Sequence, residues 1–92
     1  MTNKVTEGSA KSRFKEGFAS QLFITPTEQG YEIWIEDHFL HKSRLIPLVD
    51  FLGRFGEPIV FSTLNLAKIT ANRICDDSKI LVLESLDKVV IN

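Results

Sequence analysis

Two apolar stretches, residues 21–25 and 31–36, flank the loop Pro26-Thr27-Glu28-Gln29-Gly30, and this arrangement constrains the fold more than any other feature of the chain. Proline and glycine suit the loop to a turn, and β-branched and aromatic residues fill both flanks, so the segment predicts a β-hairpin. Alternation along the second strand places Tyr31, Ile33 and Ile35 on one face and Glu32, Trp34 and Glu36 on the other. A tryptophan therefore lies between two carboxylates.

Helical periodicities surround the hairpin. Ala10, Phe14, Phe18 and Leu22 recur every four residues, which predicts a first helix with Ser9 as its N-cap and Gly17 as an interruption. Asp37-His38 suits a second turn, and residues 39–42 read equally as a short strand or a loop. Pro47 fits the first turn of a helix, with Leu48, Phe51, Leu52 and Phe55 as its inward stripe and Gly56 and Pro58 as its stop. Ile59-Val60-Phe61 reads as a short buried strand. Ser62 or Thr63 caps a further helix over residues 64–75, which Asp76-Asp77-Ser78 ends. The continuous run Ile80-Leu81-Val82-Leu83 predicts a strand that is central or buried on both faces, and Val89-Val90-Ile91 a last one. Leu48, Phe51, Leu52, Ile69, Ile80, Val82 and Leu83 are the expected core. The fold class that follows is α+β: a small mixed or antiparallel sheet of four to five strands, with two to three helices packed on one face. Residues 1–9 are polar and expected to form a flexible tail, and residues 10–92 a single domain.

Size and cysteine content narrow the setting. At 92 residues with seven Phe, the chain has enough bulky apolar material for one core. Cys75 is alone, so no intramolecular disulfide can form, and a reducing compartment is expected. Residues 1–13 lack the apolar stretch of a secretory signal, and no apolar run approaches the ~18 residues of a membrane span. Cytoplasmic residence is the expectation. The net charge of −1 hides alternating blocks: residues 21–41 carry Glu28, Glu32, Glu36 and Asp37 with no Lys or Arg, whereas Lys42, Arg44, Arg54, Lys68 and Arg73 dominate residues 42–75. Such a balance argues against strong phosphate-driven binding to nucleic acid.

Catalytic patterns are missing. Glu36-Asp37-His38 with His41 is the densest cluster of reactive side chains, but nothing completes a zinc ligand set, and a solvated polar turn accounts for it. No Gly-x-Ser-x-Gly elbow and no phosphate-cradling glycine motif occurs, so neither nucleophilic catalysis, metal nor cofactor is expected. Cys75 fits a small buried residue at a helix end.

Phe51-Leu52-Gly53-Arg54-Phe55-Gly56-Glu57-Pro58-Ile59 resembles the core signature of KH RNA-binding domains, whose Gly-x-x-Gly loop clamps a single-stranded backbone. The resemblance covers about nine residues and implies that Gly53 and Gly56 allow close backbone approach while Arg54 meets phosphate, with Lys68 and Arg73 as further basic contacts. A helix ending at a glycine cap explains the same residues without RNA. The preferred expectation is a non-enzymatic interaction or regulatory module that binds a protein partner or itself as a homodimer, using Phe23, Glu32, Trp34 and Glu36 with Trp34 as anchor. A nucleic-acid-binding accessory protein is the alternative, and a small metal-dependent hydrolase a weaker one. In general character the chain is similar to small accessory proteins of plasmids, phages and integrative elements.

Overall fold

A computed structural model describes residues 4–50 and 57–84. Helix α1 (Glu7–Glu16) leads into a meander of β1 (Ala19–Pro26), β2 (Tyr31–Phe39) and β3 (Lys42–Pro47). Helix α2 (Leu64–Ile74) and a single 3₁₀ turn (Asp77–Lys79) then deliver β4 (Ile80–Val82) to the free side of β1. The sheet order is β3-β2-β1-β4, antiparallel within the meander and parallel between β1 and β4. This is a mixed four-stranded α+β sheet, with both helices against β1 and against each other on one face.

The hairpin forms where its turn residues place it. Thr27 and Gly30 close the loop through a 2.6 Å bond from the Thr27 amide to the Gly30 carbonyl, and the Thr27 hydroxyl accepts the Gly30 amide at 3.1 Å. Gly30 has φ +152°, and a Cβ there would lie 2.2 Å from the Phe61 carbonyl oxygen, so only glycine fits. Across the ladder, Ile24 meets Ile33 and Leu22 meets Ile35, which aligns the apolar faces of the two strands. All four side chains are fully buried.

The expected turn at Asp37-His38 does not form, because β2 continues through both residues to Phe39. Leu40 and His41 make the turn instead, both left-handed, with φ 52° and 66°. That is the geometry of a two-residue mirror-image hairpin turn, ordinarily signalled by Asn-Gly. Residues 39–42, read as a short strand or a loop, span that turn, with Phe39 ending β2 and Lys42 opening β3.

Helix α1 starts earlier than Ser9: the Thr6 hydroxyl caps it by accepting the Ser9 amide at 3.3 Å. It stops at Gly17, whose left-handed φ of 86° turns the chain outward, leaving Phe18 exposed and Leu22 in β1. The four-residue stripe therefore overruns the helix. Residues 5–9, read from the sequence as tail, are built into the fold: Val5 is buried and its backbone bonds Pro47 and Val49. Helix α2 has Thr63 as its cap, as expected, and buries Ala67, Thr70, Ala71 and Ile74 at i, i+3, i+4 and i+7. Ile69 falls off that stripe and faces solvent, contrary to its expected place in the core. Ala10, Ala67 and Ala71 are wholly buried, and their small side chains let the helices lie close to Leu22, Ile24, Ile33, Ile35, Ile46 and Leu48.

Three further expectations change. Pro47 ends β3 instead of opening a helix, since proline's missing amide costs nothing at a strand end. Leu48 is core, as expected, but through a backbone bond to Ile33 rather than through a helical stripe. Phe51, Leu52 and Phe55 lie outside the described residues, as do Val89, Val90 and Ile91. Ile59-Val60-Phe61 yields a single bridge in which Tyr31 and Phe61 exchange bonds of 2.8 and 2.7 Å, and Val60 is exposed. The apolar run at β4 is marginal rather than central: Ile80 packs on the core, but Leu81 and Val82 are 47% and 46% exposed. The central strands are β1 and β2, each with neighbours on both sides, and β4 lies at the edge.

Candidate functional site

The face of helix α1 turned towards α2 borders a groove. Glu7, Lys11 and Lys15 form an i, i+4 row along it. Opposite them, the last turn of α2 contributes Asn72, Arg73 and Ile74, followed by Cys75 and Asp76. The upper part of the groove encloses about 570 Å³ and runs into a lower part of about 290 Å³, the two sharing Lys11, Ile74, Cys75 and Asp76. Phe14, Ile74 and Cys75 supply apolar lining to the lower part, and Lys11, Lys15 and Lys79 surround it with Asp76 as the lone acid.

At the upper end Arg73 closes the groove. Its Nε and Nη2 donate to the two oxygens of Glu7 at 3.0 Å each, and Nη2 also donates to the Thr70 hydroxyl at 3.3 Å. The Arg73 bond holds the Glu7 carboxyl below its ordinary range, and Glu7 in turn raises the Arg73 guanidinium. Cys75 behaves in the opposite way. Burial disfavours its thiolate and pushes the thiol up to about 11, so it is a neutral apolar group at physiological pH rather than a nucleophile. No histidine lines the groove.

The other prominent polar constellation is internal. Asp37, read from the sequence as part of a solvated turn, is fully buried, because it shares the inward parity of Ile33 and Ile35. Two guanidiniums neutralise it: Arg13 from α1 engages both carboxylate oxygens, its Nη2 at 2.9 Å, and Arg44 from β3 reaches Oδ2 through Nη2 at 3.1 Å. Arg13 also lies over the Phe18 ring, 5.2 Å from its centroid. His38 is on the opposite face, its two ring nitrogens each 3.0 Å from a serine hydroxyl, Ser20 on one side and Ser43 on the other. The cluster Glu36, Asp37, His38 and His41 is thus split between faces and a turn. Among the described residues no three His, Cys, Asp or Glu side chains gather as metal ligands would.

The residues expected to meet a partner do share the sheet face away from the helices. Phe23 pairs with Trp34 across the β1–β2 ladder, and Glu32 and Glu36 flank the indole. Phe23 is only 6% exposed, and Trp34 is half-buried with its indole N–H donating to Glu32 at 2.9 Å. Of the basic set, Gly53, Arg54 and Gly56 lie outside the described residues, Lys68 is exposed on α2, and Arg73 is engaged by Glu7. Sequence reasoning missed Lys11 and Lys15 as a unit although their i, i+4 spacing was visible. Lys79 joins them only through the tertiary fold.

No family profile matches the chain, and neither curated proteins nor solved structures provide a match. Among the described residues no helix is long and apolar enough to cross a membrane.

Proposed function

We propose that this protein is a non-enzymatic, cytoplasmic interaction module whose docking surface is the groove between α1 and the end of α2. The partner is a protein segment that carries apolar side chains interspersed with Asp or Glu. One observation carries the reading: an apolar lining of Phe14, Ile74 and Cys75 surrounded by Lys11, Lys15 and Lys79. Apolar residues of the segment fill the lower groove while its carboxylates meet the lysines, which gives both burial and a charge rule for choosing partners. The thiol raised to about 11 and the Arg73–Glu7 clasp both favour recognition over chemistry at this surface. The sheet face bearing Trp34 is the weaker choice, since its indole donor and the Phe23 ring are already engaged or covered.

A peptide-display selection against the whole protein tests this. Recovered ligands should be enriched in Asp and Glu around apolar positions and should shift the amide resonances of Phe14, Ile74 and Cys75. The double variant K11Q/K15Q should weaken that binding with a nearly unchanged melting curve, because both side chains are exposed and no like-charge row is created. Ligands without acidic residues, or resonance shifts confined to Trp34 and its neighbours, would transfer the function elsewhere.

A further inference from the structure

On the far flank of α1 from the groove, a separate cavity of about 120 Å³ is lined by Lys4, Val5, Ser9, Arg13, Arg44 and Ile46. We propose that it is an oxyanion site that takes the phosphoryl group of a small phosphate monoester. Three cationic side chains converge there, and the carboxylate that the two arginines share, Asp37, lies buried behind them. Asp37 engages Nε and Nη2 of Arg13, leaving the Nη1 donors of that guanidinium out of the pairing. The same carboxylate fixes both guanidiniums in place, so a ligand would not bear the cost of ordering two long side chains.

Position adds to charge. Val5 and Ser9 flank the first turn of α1, where the helix dipole is positive, and Glu7 of that turn is drawn to the other flank by Arg73. The Ser9 hydroxyl supplies a neutral donor beside the cations. The cavity has roughly the space of a few waters, room for one tetrahedral anion while the remainder of the ligand stays outside. A tetrahedral dianion can present separate oxygens to Lys4, the Arg13 Nη1 and the Ser9 hydroxyl, with the Arg44 charge beside them, whereas a planar carboxylate is used up by one guanidinium.

The test is a titration of the labelled protein, followed by amide and arginine Nε resonances, with inorganic phosphate, phenyl phosphate and benzoate at constant ionic strength. Phosphate and phenyl phosphate should produce saturable shifts at Val5, Ser9 and the Arg13 Nε, and benzoate should bind more weakly. Lys4→Gln, which leaves the Asp37 pairs intact, should weaken phosphate by about threefold or more, the scale of one partly exposed charge contact. Arg44→Lys should also weaken it while preserving the charge. Shifts that stay linear to the end of the titration overturn the proposal. So do affinities unchanged in both variants, or benzoate binding as tightly as phenyl phosphate.

Discussion

Two forked arginine–carboxylate pairs flank α1, alike in chemistry and different in surroundings. Arg13 grips Asp37 beneath the helix, where the carboxylate side chain has 0% exposure. Arg73 grips Glu7 beside it, where the two side chains are 56% and 42% exposed. The inner carboxylate has been taken wholly out of water and depends on its guanidiniums, so removing a guanidinium leaves a buried charge under-compensated. The outer pair can exchange each partner for water at little cost, and salt screens it. Burial, rather than the number or length of the hydrogen bonds, decides which pair the fold requires.

The widest test of that contrast is Asp37→Asn, which removes the carboxylate that Arg13 and Arg44 share. A loss of about 3–5 kcal/mol is expected from urea denaturation followed by circular dichroism. An unaltered midpoint would erase the difference between the pairs. Arg13→Lys comes next, since a lysine keeps the charge but lacks the fork that spans both oxygens, and about 2 kcal/mol should go with the lost bond. Glu7→Gln should move the melting midpoint by no more than about 2 °C, and added salt should remove even that.

Acidity sharpens the outer side of the comparison. The Arg73 bond depresses the Glu7 carboxyl from its ordinary value near 4.5, so the clasp stabilises the fold above that pH. Its contribution is lost as pH falls through the lower folded value, and the Glu7→Gln melting curve should merge with wild type there. Cys75, close by, has the reverse sign. Its thiol is raised from 9.0 to about 11, so its contribution is present below 9 and disappears as pH rises towards 11. Iodoacetamide at pH 8 should label it more slowly than a free cysteine peptide, and equal rates would show a thiol more accessible than its surroundings imply.

The hairpin and α2 were legible because their signals are local: proline and glycine around the first turn, and a Thr63 cap before an i, i+3, i+4, i+7 stripe. The second turn was not, since Asp and His favour turns while Leu40 and His41 adopt left-handed backbone without glycine or asparagine to announce it. The apolar run of β4 pointed to a sheet centre, but β1 took that place because both β2 and β4 pair with it. Strand parity already set Asp37 with Ile33 and Ile35, and extending that parity two residues would have predicted its burial. Nothing in the sequence pairs Arg13 with a residue 24 positions away. The same holds for Lys79, which reaches the groove only through the α2 crossover.

The parallel join between β1 and β4 has a consequence for synthesis. Leu22 waits for Ile80, 58 residues further along, and the Gln21 side-chain Nε2 waits as long to donate to the Lys79 carbonyl. At translation rates of about 5–20 residues per second, the 33 residues from Pro47 to Ile80 keep the outer edge of β1 open for roughly 2–7 seconds after the meander beside it is complete. A nascent chain therefore exposes the hydrogen-bonding edge of a strand destined for the core to every neighbour on the polysome until three residues arrive to close it.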